Sequence, residues 1–166
     1  MADRAAALIA HFGLEPHPEG GWYRRRFRSD TPVAGPRGLR AAVTTIVFLL
    51  RAGEMSRWHR VHADEIWHFY EGAPLRLLTA DPLLQQIEER VLQLGTAPDP
   101  VAVVPASHWQ AAECVAESTA DYTLVGCTVA PGFDFVDFAL LAEQSETAAA
   151  NAQALRTRHP GVARLL

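Results

Sequence analysis

Between Gly53 and Gly72 the chain reads GEMSRWHRVHADEIWHFYEG, which sets three histidines (His59, His62, His68) and two acids (Asp64, Glu65) inside ten residues. Its second half alternates. As a strand it places Glu65, Trp67 and Phe69 on one face and Ile66, His68 and Tyr70 on the other. An inward carboxylate beside two inward aromatic rings makes a lined cavity that suits a planar or partly apolar ligand. The surrounding sequence repeats the β pattern. LRAAVTTIVFLL at Leu39–Leu50 reads as one long buried strand, and LRLLTA, QQIEERVLQLG, VAVVPASHWQAAECV and DYTLVGCTVAPGFDF follow, the last after an ESTAD loop. Turn signals recur every 8 to 15 residues through the middle of the chain, the spacing of a sandwich or barrel and not of βαβ units.

The ends differ from the middle. DRAAALIAHFG at 3–13 reads as a short helix closed by a glycine, and the alanine-rich tail from 140 to 166 reads as a second helix with a short extension. Residues 14 to 138 are expected to be mostly β, within a single domain spanning 1–166. The net charge of −4 and the lack of a basic run beyond Arg24-Arg25-Arg26 argue against nucleic acid as a partner. In WYRRRFRS alternate arginines are expected to face solvent from an edge strand. No apolar run approaches the roughly 20 residues of a membrane span, and MADRAAALIAHF lacks a signal-peptide pattern, so a cytoplasmic protein with free Cys114 and Cys127 is expected. All 15 basic residues are arginine, which excludes Schiff-base chemistry on lysine.

The histidine segment matches the frame G-x5-H-x-H-x3-E-x6-G at Gly53, His59, Glu65 and Gly72, but Val61 stands at the second histidine position and His62 follows it. A second frame, G-x5-P-x-G-x2-H-x3-N, meets VVPASHWQAAE with Pro105 at the proline, Ser107 at the glycine and Gln110 at the histidine. These frames are those of the cupin superfamily. With HPEGGWY at 17–23 and LVGCTVAPGFDFVDF at 124–138, the chain resembles a subfamily of small single-domain cupins of unknown function over about residues 7–143. The resemblance implies a mainly β, cupin-type jelly-roll barrel, a homodimer, and a small-molecule cavity inside the barrel.

Within that frame His59 would end one strand and face Glu65 across a strand pair, closed by a turn at His62-Ala63-Asp64. His59, Glu65 and Gln110, with His62 marginal, form the candidate set for one divalent metal ion, although a glutamine oxygen is a poor transition-metal ligand. His59, Glu65, Trp67, Phe69, Gln110, Tyr122 and Phe133 are the candidate ligand-binding residues. Phe133, Phe135 and Phe138 would close the barrel mouth, with Asp134 and Asp137 facing solvent or capping turns. His68 reads as a packed histidine, and Glu19, ahead of Gly20-Gly21, as structural, with a neighbouring cavity or subunit within its reach as the alternative. A small-molecule-binding cupin is the leading expectation. The alternatives are a metal-dependent dioxygenase, isomerase or lyase; a deoxysugar-nucleotide epimerase that would recruit His59 or His62, Asp64 and Tyr122; and a barrel whose sole task is dimerisation.

Overall fold

Asp3 starts the first helix by accepting a hydrogen bond from the Ala6 N–H, and Gly13 ends it in the left-handed conformation. That helix, α1 (Arg4–Phe12), buries Ala5 and Leu8. The computed structural model describes residues 3–35, 37–115, 120–142 and 146–166. The expected ESTAD loop lies largely outside them.

Among the described residues thirteen strands follow α1. Six of them form one antiparallel sheet. In spatial order these are β1 (Glu15–Pro16), β2 (Trp22–Arg28), β5 (Thr44–Arg51), β12 (Tyr122–Ala130), β7 (Asp64–Gly72) and β10 (Val101–Val104). Five form a second sheet, ordered β13 (Phe138–Leu140), β6 (Met55–Val61), β11 (Trp109–Cys114), β8 (Leu75–Ala80) and β9 (Ile87–Leu92). A small hairpin of β3 (Pro32–Gly35) and β4 (Gly38–Ala41) stands apart from both. This is a jelly-roll barrel, mainly β, with helices at its two ends. The long strand expected over Leu39–Leu50 is two strands. It breaks at Ala42-Val43, so β4 joins the hairpin and only β5 joins the large sheet.

The two sheets share an apolar interior in which Phe48, Leu50, Trp67, Phe69, Leu75, Leu77 and Val125 pack together. Alternation in β7 is as expected: Glu65, Trp67 and Phe69 are buried, while Ile66, His68 and Tyr70 are not. The outer face of the large sheet is covered at one end by α1, where Ala5 and Leu8 meet Val47, Leu49, Tyr122 and Leu124. The outer face of the smaller sheet is covered by α2 (Glu146–Arg158) and the 3-10 turn at Pro160–Leu165. There Leu155 and Leu165 bury Trp58 and Trp109, and the Trp58 indole N–H donates to the Val162 carbonyl at 3.1 Å.

Two local departures from regular pairing shape the interior. In β6, Gln110 stands opposite His59 but Ala112 opposite Ser56, so three steps on β6 match two on β11. This bulge resets the alternation and turns both Ser56 and His59 inward while Trp58 points out. In β2 a second bulge lies between Arg25 and Phe27.

Candidate functional site

Trp67 and Phe69 fill one part of the barrel, and the rest is hollow. A cavity of about 310 Å³ is lined by acids (Glu15, Glu19, Glu65), imidazoles (His17, His59) and the apolar side chains of Ile46, Val61, Val129, Phe133 and Phe135. Tyr23, Arg24, Arg25, Thr44 and Cys127 complete the wall. Its size is at the lower end for small-molecule sites.

The polar floor centres on Glu19. The loop HPEGG presses that residue into the barrel because Gly20 has φ +111° and a Cβ there would lie 2.1 Å from the Met55 carbonyl oxygen. No other residue type reaches that approach without strain. Glu19 Oε1 accepts from the Ser56 hydroxyl at 2.8 Å, while Glu19 Oε2 lies 3.2 Å from His59 Nε2 and 3.4 Å from His17 Nδ1. His59 Nδ1 faces the Arg57 carbonyl at 2.8 Å and must donate to it. The line between His59 Nε2 and Glu19 Oε2 therefore holds one proton, carried by the carboxyl or by the imidazole. Burial decides the bias. It pushes the Glu19 carboxyl up and both imidazoles, His17 and His59, down, which favours the neutral form of each.

Glu65 lies on the same floor. Its Oε2 accepts from the Gln110 amide nitrogen at 2.5 Å, and Gln110 Oε1 in turn accepts from the Trp67 indole N–H at 2.8 Å. Burial raises the Glu65 carboxyl too, opposed by the nearby His59. Cys127 is buried against Glu65, and its thiol is held well above its usual range by burial and then by that carboxyl. A thiol kept protonated is a weak nucleophile. Cys114 and Cys127 are both free.

His59, Glu65 and Phe133 line the cavity as expected. Trp67 and Gln110 stand behind Glu65 as its support, and Phe69 belongs to the filled part of the barrel. Tyr122 is elsewhere. Its ring packs against α1 on the outer face of the large sheet, and its hydroxyl donates to Glu71 at 2.8 Å. His62 points away from the cavity to Ser107 Oγ at 2.9 Å and to Arg37 at 3.3 Å. Ser107 has φ +67°, which accounts for the glycine that the family frame carries there. Asp64 accepts from the Ala106 N–H. His62 and Asp64 thus meet the same 106–107 turn outside the cavity, while the Tyr122 that an epimerase would align with them lies on another surface.

His59 and Glu65 do not face each other across a strand pair, because β6 and β7 lie in different sheets. They meet across the barrel interior. Asp137, expected at the surface or as a cap, is buried in a two-pronged ion pair with Arg40, at 2.6 and 3.0 Å, whereas Asp134 caps a turn by accepting from the Val136 N–H. His17 is missed in sequence, and Glu19, read first as structural, stands in the cavity that was its alternative. The glycine pair behind Glu19 was their signal, since it marks a close backbone approach.

The metal reading meets a poor donor set. Val61 offers no donor, the Gln110 oxygen already accepts from Trp67, and the free nitrogen of His59 faces a carboxyl of the same cluster. Among the described residues no group of three His, Cys, Asp or Glu side chains is arranged to hold a metal ion. No step through a metal follows from this geometry. No helix among the described residues is long and apolar enough to cross a membrane.

No curated protein matches the sequence. Solved structures that match it over nearly its whole length include the following two. A hypothetical protein from Leishmania major is 30% identical, with 98% of this chain and 97% of that chain covered and a TM-score of 0.84. A protein from Shewanella oneidensis is 34% identical, with 97% and 92% covered and a TM-score of 0.73. A point mutant of oxalate decarboxylase from Bacillus subtilis shares the fold alone, at 10% identity, 87% and 34% coverage and a TM-score of 0.56. The model of the cupin superfamily family DUF985 matches residues 6–141, and the chain belongs to that family.

Proposed function

We propose that this cupin binds a small organic molecule inside its barrel. The observation that carries the reading is the cavity itself. Its floor of buried Glu19, His59 and Glu65 sits beneath apolar walls formed by Ile46, Val61, Val129 and Phe133. A barrel built only to be stable would fill that space, since close packing is the norm for interiors and a void forfeits contact energy.

Replacing Ile46, which faces the void, by tryptophan tests it. The larger ring is expected to occupy the cavity at a stability cost of about 1–3 kcal/mol or less, because the space already exists. Ligand-observed NMR against a library of small metabolites should give hits with the native protein that vanish in Ile46→Trp. Hits that persist in the variant, or a native protein that binds nothing, would sink the reading.

The protein is also proposed to act as a homodimer. Support comes from the uncovered outer face at the β7–β10 edge, where Tyr70, Val101 and Val103 are exposed beside Ile66 and His68. Light scattering on a sizing column should report twice the chain mass, and Val103→Glu should shift it to one. A native monomer at micromolar concentration would refute this.

A further inference from the structure

The triplet Arg24-Arg25-Arg26 does not face solvent uniformly. In the β2–β5 pairing, Tyr23 stands opposite Phe48 and Arg25 opposite Ile46, both of which point into the barrel. Arg24 stands opposite Val47, which packs outward under α1, and the Arg26 guanidinium lies 5.9 Å from the Phe12 ring. Arg25 thus points toward the cavity mouth, Arg24 also lines its rim, and Arg26 turns to Phe12.

Arg25 differs from the six arginines held in ion pairs, Arg4, Arg40, Arg51, Arg76, Arg90 and Arg164. Among the described residues the Arg25 side chain has neither an ion pair nor a hydrogen bond, although Glu15 lines the same rim. With Arg24 the rim carries two cations to one anion. The floor has the opposite need. Glu19 is shared between Ser56 and His59, and Glu65 takes its donor from Gln110, so the cluster is internally satisfied. A deeply placed ammonium would lose its hydration for carboxyls already engaged, a costly exchange. A hydroxyl brings no charge and can both accept from the Glu19–His59 pair and donate to Glu65, whereas a carbonyl can only accept. Between the ends lie the apolar side chains of Ile46, Val61, Val129, Phe133 and Phe135.

We infer that the cavity takes a two-ended small carboxylate, with its carboxylate on Arg25 at the rim and a hydroxyl or carbonyl group at the Glu19–His59–Glu65 floor. This rests on the binding reading above and adds to it the polarity of the ligand and its direction.

Four probes on one ring separate the two ends. Para-hydroxyphenylacetate has both groups, phenylacetate lacks the inner hydroxyl, tyrosol replaces the carboxylate by an alcohol, and tyramine replaces it by an ammonium. In calorimetric titrations para-hydroxyphenylacetate should bind about fivefold tighter than tyrosol, the scale of one partly solvated ion pair. Tyramine should be weaker than tyrosol, and phenylacetate weaker than its hydroxylated partner by about fivefold, the scale of one lost hydrogen bond. Arg25→Gln, an exposed change that leaves the fold intact, should bring para-hydroxyphenylacetate down to the level of tyrosol. The inference is overturned if tyrosol or tyramine binds as tightly as the acid, if Arg25→Gln leaves the preference unchanged, or if none of the four binds. Library hits that vanish in Ile46→Trp while these probes fail would overturn the two-ended carboxylate and leave the binding reading standing.

Discussion

Gly20→Ala is expected to destabilise the protein by about 3 kcal/mol or more and to abolish ligand binding at the same time. The added methyl would stand 2.1 Å from the Met55 carbonyl oxygen, and that oxygen belongs to the backbone of β6, where it cannot swing aside. The backbone at φ +111° adds strain for any L residue. Relief requires the 17–21 loop to lift from the barrel. Glu19 then leaves its place between Ser56 and His59, and the Arg57 N–H loses its bond to the Glu19 carbonyl. The consequences are therefore coupled: a lower urea midpoint and a cavity without its central acid. Glu19→Gln is the control, since it keeps the loop and most of its packing while removing the shared proton. Gly20→Ala with a native midpoint and native ligand binding would show that the loop is not held as described.

Much of the fold was legible because it depends on local pattern. The parity of Glu65, Trp67 and Phe69 needs only a period of two, and Asp3 and Gly13 carry the helix limits in their own side-chain and backbone chemistry. What was not legible depends on pairing between distant segments. The β6 bulge that lets Ser56 and His59 share a face is visible only against β11. Tyr122 in isolation is only an aromatic at the head of a strand, and its pairing with Arg51 and the docking of α1 place it outside the barrel. Glu19 is the clearest case. As a loop acid before two glycines it resembles any turn residue, and its role follows from the close approach that those glycines permit.

Gln110 shows how a departure from a family frame can be read as chemistry. A histidine there would offer one nitrogen to a metal; the glutamine instead links two buried groups, accepting from Trp67 and donating to Glu65. The position has changed from ligand to scaffold. That change fits the other substitutions around it, because Val61 brings no donor and Glu19 supplies the partner that His59 would otherwise lack. The floor of this cavity is held by hydrogen bonds between its own side chains.

The strongest test of that arrangement is the pair Gln110→Leu and Gln110→Glu. Leucine has nearly the right volume but no polar atoms, so the Trp67 indole N–H and the Glu65 Oε2 both lose their partner inside the barrel. Each orphaned group costs about 1–3 kcal/mol, and Gln110→Leu is expected to lose about 2–5 kcal/mol at neutral pH. Glutamate keeps an oxygen for Trp67 and sets a second buried carboxyl against Glu65. Two carboxyls at that distance share one proton, and the pair resists losing it. Glu65 is already raised by burial, so the new neighbour raises it further. A carboxyl whose folded value lies above its unfolded value binds its proton more tightly in the folded state. Stability is therefore lost as pH rises from the ordinary carboxylate range through the folded value. Gln110→Glu should approach the native midpoint near about pH 5 and fall well below it by about pH 8, whereas Gln110→Leu, which only removes a donor that lowers Glu65, should show a shallower added slope over the same range. Urea denaturation at a series of pH values reads both. A Gln110→Glu profile parallel to the native one would mean that Gln110 and Glu65 are not in contact, and the floor of the site would have to be redrawn.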